Sequence, residues 1–162
     1  SLFSSQIGSL SLVFIVIALM LLLIFKSLKI MLIGLMPNIF VAISVIGLLG
    51  ILGIPLDIMT ITVAAISVGM AVDNTIHYIY RYKKEIKITK SPDSALINAH
   101  TTTGRAIFYT AATIAAGFSI LALSNFFPTR LFGIFTALAM LIAFVSSLSL
   151  LPNLLVKFKV FQ

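Results

Sequence analysis

The segment GMAVDNTIHYIY, residues 69–80, places four polar side chains in little more than one turn of an otherwise apolar run. These side chains are an acid, an amide, a hydroxyl and an imidazole, from Asp73, Asn74, Thr75 and His77. Such groups are costly in a run that would otherwise suit a lipid environment. The character of the surrounding chain therefore decides how the segment is interpreted.

The composition predicts a membrane protein. The chain has 162 residues, of which 60% are hydrophobic and only 9% are charged, and its mean hydropathy is +1.21; a soluble domain carries about 25% charged residues. Five apolar runs are each long enough to cross a hydrocarbon core of about 30 Å as a helix. They lie at about 7–25, 30–54, 58–80, 106–127 and 131–156. The predicted fold class is all-α, a polytopic bundle of five membrane-spanning helices in one domain.

The distribution of basic residues predicts the orientation of the bundle. If the helices alternate in direction, ten of the eleven Lys and Arg residues fall on one side of the membrane, and Arg130 falls on the other. The side with more basic residues is normally cytoplasmic. We therefore expect a multi-pass protein of the inner (cytoplasmic) membrane, with its N-terminus outside and its C-terminus in the cytoplasm. The net charge of +7 then reflects topology and a weak attraction to anionic lipid, rather than a nucleic-acid surface.

The connections between the runs predict how the helices pair. The outer connections, 53–57 and 125–130, are short and contain proline, so the second and third helices, and the fourth and fifth, should form antiparallel hairpins. The longer connection contains Ser91 and Pro92, which suit the start of a helix. Its small apolar residues then predict a short helix at about 92–103 on the cytoplasmic surface.

Asp73 is the central functional candidate. It lies in the inner half of the third predicted helix, where burial of an acid costs about 2.5–3.5 kcal/mol and usually serves an ion or proton pathway. Loss of water favours the uncharged form of an acid, so Asp73 is expected to bind and release protons. Gly69, one turn earlier, would let a neighbouring helix approach closely. His77, one turn later, could relay a proton.

Other interpretations of this turn stay open at this stage. Asp73 could hold helices together by hydrogen bonds, although an acid is an expensive way to do so. For Asn74 and Thr75 the structural role is favoured, whereas for His77 the two roles are balanced. A metal site is a weak alternative and none is predicted, because Asp73 and His77 are too few ligands.

The fourth predicted helix supplies a second polar stripe. Thr110 and Thr113 are followed by Gly117 at helical spacing. Threonine hydroxyls in membrane helices often bond only to their own backbone, yet such a stripe is also what a protonatable acid on a neighbouring helix would pair with. Gly117, like Gly69, is expected at a close helix contact.

The segment GMAVDNTIHYIYRYKKE resembles the fourth or tenth transmembrane helix of resistance-nodulation-division (RND) transporters. The similarity is greatest to the predicted lipid exporters of the MMPL type and to their Patched-like, sterol-sensing relatives. Further segments follow the same order along the chain. They are FKSLKIMLIGLMPNIF, GIPLDIMT, TGRAIFYTAATIAAGF and FPTRLFGIFTALAML. The resemblance covers the second to the sixth helix of one half of such a transporter.

The resemblance implies a twelve-helix, two-half transporter whose extracytoplasmic domains collect substrate and whose intramembrane acids take up protons. Asp73 would be the proton-relay carboxylate, Asn74 its motif neighbour, and Thr110 and Thr113 its partners on the facing helix. Many relatives carry a second acid or a tyrosine in the place of Asn74.

Protons are the implied coupling ion, with no other cofactor. The implied partners are the remaining half, the extracytoplasmic domains, membrane lipids and a hydrophobic substrate, and a homo-oligomer is left open. The basic end VKFKVFQ favours the C-terminal half of a larger protein.

Three functions are weighed. The leading hypothesis is the membrane portion of a proton-driven exporter of lipids or other hydrophobic compounds. The alternative is a non-transporting module that senses a sterol or another lipid between its helices. A membrane enzyme that uses Asp73 and His77 as acid and base is ranked last, because no nucleophile, metal set or phosphate-binding loop accompanies them.

Overall fold

The fold is a bundle of long helices, seen in a computed structural model that describes residues 2–55 and 57–161. Its α-helices are α1 Leu2–Phe25, α2 Leu28–Ile51, α3 Ile58–Thr89, α4 Pro92–Ala99, α5 Arg105–Ile120, α6 Phe127–Val145 and α7 Leu151–Lys157. A π-helical turn at His100–Gly104 joins α4 to α5, and another at Ser146–Leu150 joins α6 to α7. Five continuous helices in the described residues are thus long and apolar enough to cross a membrane. The predicted all-α membrane fold is confirmed.

Helix α3 is the centre of the bundle, because α2, α6 and α4 all pack against it. Two apolar clusters surround it. The cluster near the lysine-rich end contains Leu21, Tyr78 and Leu155, and the cluster nearer the other end contains Leu49 and Phe135. The two clusters hold α3 over most of its length, so the height of each of its side chains in the bundle is well defined.

Both ends of α3 are capped by local hydrogen bonds. At its start the Asp57 carboxylate accepts from the Thr60 backbone N–H, and the Asp57 N–H donates to the Thr60 hydroxyl, each at 2.8 Å; this reciprocal pair satisfies two free helix donors. At its end Lys90 adopts the left-handed conformation, with φ of 52°, which stops the helix. The helix has 32 residues, or about 48 Å. It therefore ends well beyond residue 80, where the apolar run predicted its end.

The predicted short surface helix begins at Pro92 as expected, but it is not a separate element. It continues through the π-helical turn into α5. Ala95 and Ala99 are completely buried, and α4 packs on the last turns of α3. The Asn98 amide donates to the Glu85 carboxylate at 3.0 Å, and Arg81 pairs with the same carboxylate at 2.7 Å. The alanine stripe is thus explained by packing on α3 rather than by contact with a membrane surface.

Helices α5 and α6 form the predicted antiparallel hairpin, which is tightly packed near the connection between them. A Cβ atom at Gly133 would lie 2.5 Å from the Phe118 carbonyl oxygen and 2.6 Å from the Leu121 Cβ. These distances leave no room for a side chain. Gly133 is therefore a close-packing residue, as small residues are in membrane helix pairs.

Proline accounts for the irregular turn between α6 and α7. Pro152 has no N–H, and its ring clashes with the carbonyl four residues earlier, that of Leu148. The π-helical turn at Ser146–Leu150 ends two residues before this proline. In the same turn, the buried Ser146 hydroxyl donates to the Pro37 carbonyl at 3.2 Å, which ties α6 to the proline-containing turn of α2.

We expect Gly133→Ala to lower the stability of the intact protein by about 1–3 kcal/mol, because the added methyl group overpacks the α5–α6 contact. The measurement is thermal unfolding of the purified protein in detergent. Gly47→Ala is the matched control, since a Cβ there meets no described atom within 4 Å. Equal unfolding temperatures for the two variants would contradict the close contact.

We expect Asn98→Ala to loosen α4 from α3, because it removes a partner of the buried Glu85 carboxylate; such a loss costs about 1–3 kcal/mol. Hydrogen exchange should then be faster at residues 92–99 than in the parent protein. Thr101→Ala, at an exposed threonine that bonds only to its own helix, serves as the control and should leave that exchange unchanged. Unchanged exchange in Asn98→Ala would show that Ala95 and Ala99 hold α4 without the polar contact.

Candidate functional site

Asp73 and His77 form a pair on one face of α3. The Asp73 Oδ1 and His77 Nε2 atoms are 3.4 Å apart, as the i and i+4 spacing of the two residues predicts. The side chains are 70% and 67% exposed in the chain by itself. The pair is thus outside the packed interior of the bundle, although it belongs to a membrane-spanning helix.

An open groove lies beside this pair, with a volume of about 340 Å³. Its α3 wall is Asp73, Asn74 and His77. Its opposite wall is formed by the π-helical turn and the first turns of α5, through Thr102, Thr103, Ala106, Ile107 and Thr110. The structure therefore brings together four of the residues that the sequence singled out, namely Asp73, Asn74, His77 and Thr110.

Thr110 and Thr113 bond to their own helix. The Thr110 hydroxyl donates to the Ala106 carbonyl at 3.1 Å, and the Thr113 hydroxyl donates to the Tyr109 carbonyl at 2.8 Å. A hydroxyl that has already used its hydrogen can still accept one. At Thr110 it can therefore receive a hydrogen bond from a protonated acid in the groove. Thr113 is exposed one turn further along α5 and is not part of the groove wall.

Gly69 and Gly117 extend the same surface. Both are exposed, and a Cβ atom at either position would meet no described atom within 4 Å. The sequence predicted a close contact between helices at both glycines. No described residue makes that contact, so it stays a prediction about a helix outside the described residues. With Asp73, His77 and Thr110, these glycines make an exposed strip of small and polar residues across α3 and α5, which we call the polar face.

The rest of the exposed surface has a different character. The outward sides of α1 and α2 present large aliphatic residues such as Leu12, Leu23, Leu32 and Ile43, which are 54–75% exposed. Surfaces of this kind suit lipid chains. A carboxylate facing lipid at the same depth would be costly, so the polar face requires protein or water against it.

Thr75 does not contribute to the groove. It is completely buried, and its hydroxyl donates to the Ala71 carbonyl at 2.8 Å. Its methyl carbon lies 3.4 Å from the position that a Cβ at Gly34 would occupy. Thr75 is thus a packing residue between α3 and α2, in agreement with the structural role favoured for it.

Sequence reasoning missed the π-helical turn and what surrounds it. The Tyr78 hydroxyl lies 2.6 Å from His100 Nδ1, and the two rings meet edge to face. Tyr78 follows His77 directly and is completely buried, so this contact ties the turn to α3 next to the ionisable pair. The turn spans the run HTTTG at residues 100–104, which carries no recognisable sequence signature of a π-helical turn, although such turns are frequent at functional sites.

In the described ranges 2–55 and 57–161, no group of three or more His, Cys, Asp or Glu side chains is placed to hold a metal ion. The groove instead brings together two groups of a kind that can exchange protons and several hydroxyl groups. A carboxyl beside an imidazole faces neutral hydroxyl acceptors in a groove within a membrane-spanning bundle.

Comparison with known proteins agrees with this architecture. The model of the MMPL family matches residues 2–158. A protein of Methanocaldococcus jannaschii, named only as a membrane protein, is 35% identical over 126 residues. That match covers 76% of this chain and 32% of the relative, so the chain spans about a third of the length of that protein. The chain belongs to the MMPL family, and its five spanning helices make it a multi-pass membrane protein.

Proposed function

We propose that this chain is the membrane portion of a proton-driven exporter of lipids or other hydrophobic compounds, and that Asp73 carries the proton. The observation that carries the proposal is the exposed Asp73–His77 pair beside a hydroxyl-lined groove of a spanning helix. Membership of the MMPL family supports the transporter class. The export reaction, the substrate class and the role of Asp73 belong to the proposal.

Two protonation states of Asp73 would favour different surroundings. The carboxylate would be stabilised by His77, 3.4 Å away, when that imidazole carries a proton. The neutral acid needs no counter-charge and can donate a hydrogen bond to a hydroxyl such as that of Thr110. Each proton that crosses a potential of 100 mV releases about 2.3 kcal/mol. A differential free energy of this size changes the ratio of two conformations by about fiftyfold.

Asn74 has a supporting role in this scheme. It lines the groove next to Asp73, and its amide can both donate and accept hydrogen bonds but does not titrate in the working range. One acid per groove therefore implies one proton bound per cycle at this position. Thr113, which is exposed on α5 beside the polar face, would act toward the neighbouring helix rather than within the groove.

The polar face would be covered by another part of the parent protein. The relative from Methanocaldococcus jannaschii is about three times as long as the matched segment, so the remaining length suffices for further helices and for domains outside the membrane. Gly69 and Gly117 leave space for a helix to lie close to Asp73. Substrate selection would reside in those further parts, or in a second copy where the parent forms an oligomer.

We expect Asp73→Asn to abolish proton-coupled export, because an amide cannot bind and release a proton. The intact protein is reconstituted in vesicles, and dye efflux and proton uptake are measured under an imposed pH gradient; both should fall to the level of empty vesicles. Asp93→Asn, at an exposed acid of the first turn of α4, is the control and should keep both activities.

An infrared measurement separates a proton-binding role from a structural one. The band of a protonated carboxyl should appear and disappear with pH in the intact protein and be missing in Asp73→Asn. Sustained export by Asp73→Asn, with no titrating band, would make the acid structural and favour the lipid-sensing function.

We expect the lysine-rich end of the bundle to face the cytoplasm. The chain contains no cysteine, so single cysteines can report on accessibility once any in the rest of the protein are removed. Asn125→Cys, between the 3₁₀ turn at Leu121–Leu123 and α6, should react with an impermeant thiol reagent added to whole cells. Lys87→Cys, in the last turn of α3, should react only after lysis. The opposite pattern would reverse the proposed orientation.

A further inference from the structure

A second groove, separate from the polar one, lies on the lipid-facing side of the bundle between α2 and α7. It has a volume of about 320 Å³. Its walls are apolar apart from one residue, Lys29, at one end. The apolar wall residues are Leu32, Ile33, Leu35, Met36, Ile39, Leu154 and Phe158. The groove shares no lining residue with the groove beside the Asp73 pair, and nothing in the proposed export reaction uses it.

The length of the groove matches one leaflet of a bilayer. Its α2 wall runs from Lys29, at the start of the helix, to Ile39. Ten residues of α-helix rise about 15 Å, which is half of a hydrocarbon core of about 30 Å. The groove therefore extends from the membrane surface to about the midplane, the same depth as an acyl chain of that leaflet.

The charge at the mouth of the groove is positive. Lys29 lies in the first turn of α2, and Lys26 lies three residues before it. Lys157 and Lys159 flank Phe158 at the end of α7, and of these four lysines Lys29 is the one that lines the groove. The stretches 26–39 and 151–161 contain no acidic residue. Lysine close to a membrane surface attracts anionic lipid, with about 1 kcal/mol for each residue.

We infer that this groove, the α2–α7 groove, binds one anionic phospholipid. Its acyl chain lies along Leu32, Met36 and Ile39, and its phosphate is next to Lys29. The occupant differs from a surrounding bulk lipid because it is selected by headgroup charge. The inference concerns binding alone and is independent of the proposed export reaction, so the failure of either leaves the other standing.

A tryptophan reporter tests the inference, because the 162 residues contain no tryptophan. Phe158→Trp places the reporter in the groove, and Ile43→Trp places it on the lipid-facing side of α2 away from the groove. The intact protein is reconstituted with brominated phosphatidylglycerol or brominated phosphatidylcholine at equal mole fraction. Fluorescence quenching is measured after subtraction of the parent protein's signal.

We expect phosphatidylglycerol to occupy the groove about fivefold more strongly than phosphatidylcholine at Phe158→Trp, because its headgroup has a net negative charge and one lysine attracts such a lipid with about 1 kcal/mol. No preference is expected at Ile43→Trp. Adding Lys29→Gln to the Phe158→Trp protein should remove the preference, whereas adding Lys84→Gln, at an exposed lysine of α3 away from the groove, should keep it.

Three results would overturn the inference. They are an equal response to both lipids at Phe158→Trp, a preference that survives Lys29→Gln, and an absence of quenching by either lipid, which would mean that protein covers the groove. If Phe158→Trp does not fold, Leu32→Trp, at a half-exposed position of the same groove, replaces it as the reporter.

Discussion

The cost of placing a carboxylate against hydrocarbon is the constraint on which the rest of this structure depends. Asp73 lies 15 residues after the start of α3, or about 22 Å along the helix, and is therefore well inside the membrane. Its side chain is 70% exposed in the chain alone. Because lipid cannot be its neighbour, the surface of the bundle divides into a polar face that needs protein or water and an aliphatic surface that suits lipid.

The fold keeps this carboxyl at a constant depth. The reciprocal hydrogen bonds between Asp57 and Thr60 fix the start of α3. Beyond the site, the Tyr78–His100 contact and the Asn98–Glu85 bond hold the far end of the helix against α4. A helix tied at both ends resists sliding and rotation, so under the proposed function a change in protonation would act on the surroundings of Asp73 rather than on its position.

The spanning helices and the ionisable pair could be predicted from the sequence, for identifiable physical reasons. Apolar runs predicted five spanning helices because lipid imposes both their length and their internal hydrogen bonds. Helical spacing predicted the Asp73–His77 pair because residues four apart share a face. Local rules were thus sufficient for the helices and for the ionisable pair.

What could not be predicted depends on contacts between distant segments. Apolarity predicted the end of α3 near residue 80, yet the helix continues to Thr89, because α4 packs on its more polar last turns. The same packing keeps α4 continuous with α5. The groove wall at Thr102 and Thr103 then follows from the π-helical turn, whose extra residue leaves no simple periodic pattern in the sequence.

The two grooves are separated by a pair of irregular turns that lie against each other. A Cβ atom at Gly104, in the turn beside Asp73, would lie 3.3 Å from the Leu148 side chain, in the turn that leads into α7. Leu154 and Phe158, which follow that turn, line the α2–α7 groove. Turns that depart from regular α-helical hydrogen bonding often mark hinges or functional sites within helices. If Asp73 binds a proton and the α2–α7 groove binds a lipid, as proposed, any coupling free energy through this contact would act equally in both directions. A lipid that stabilised one arrangement of α7 would then bias proton binding, and protonation would bias lipid binding by the same factor.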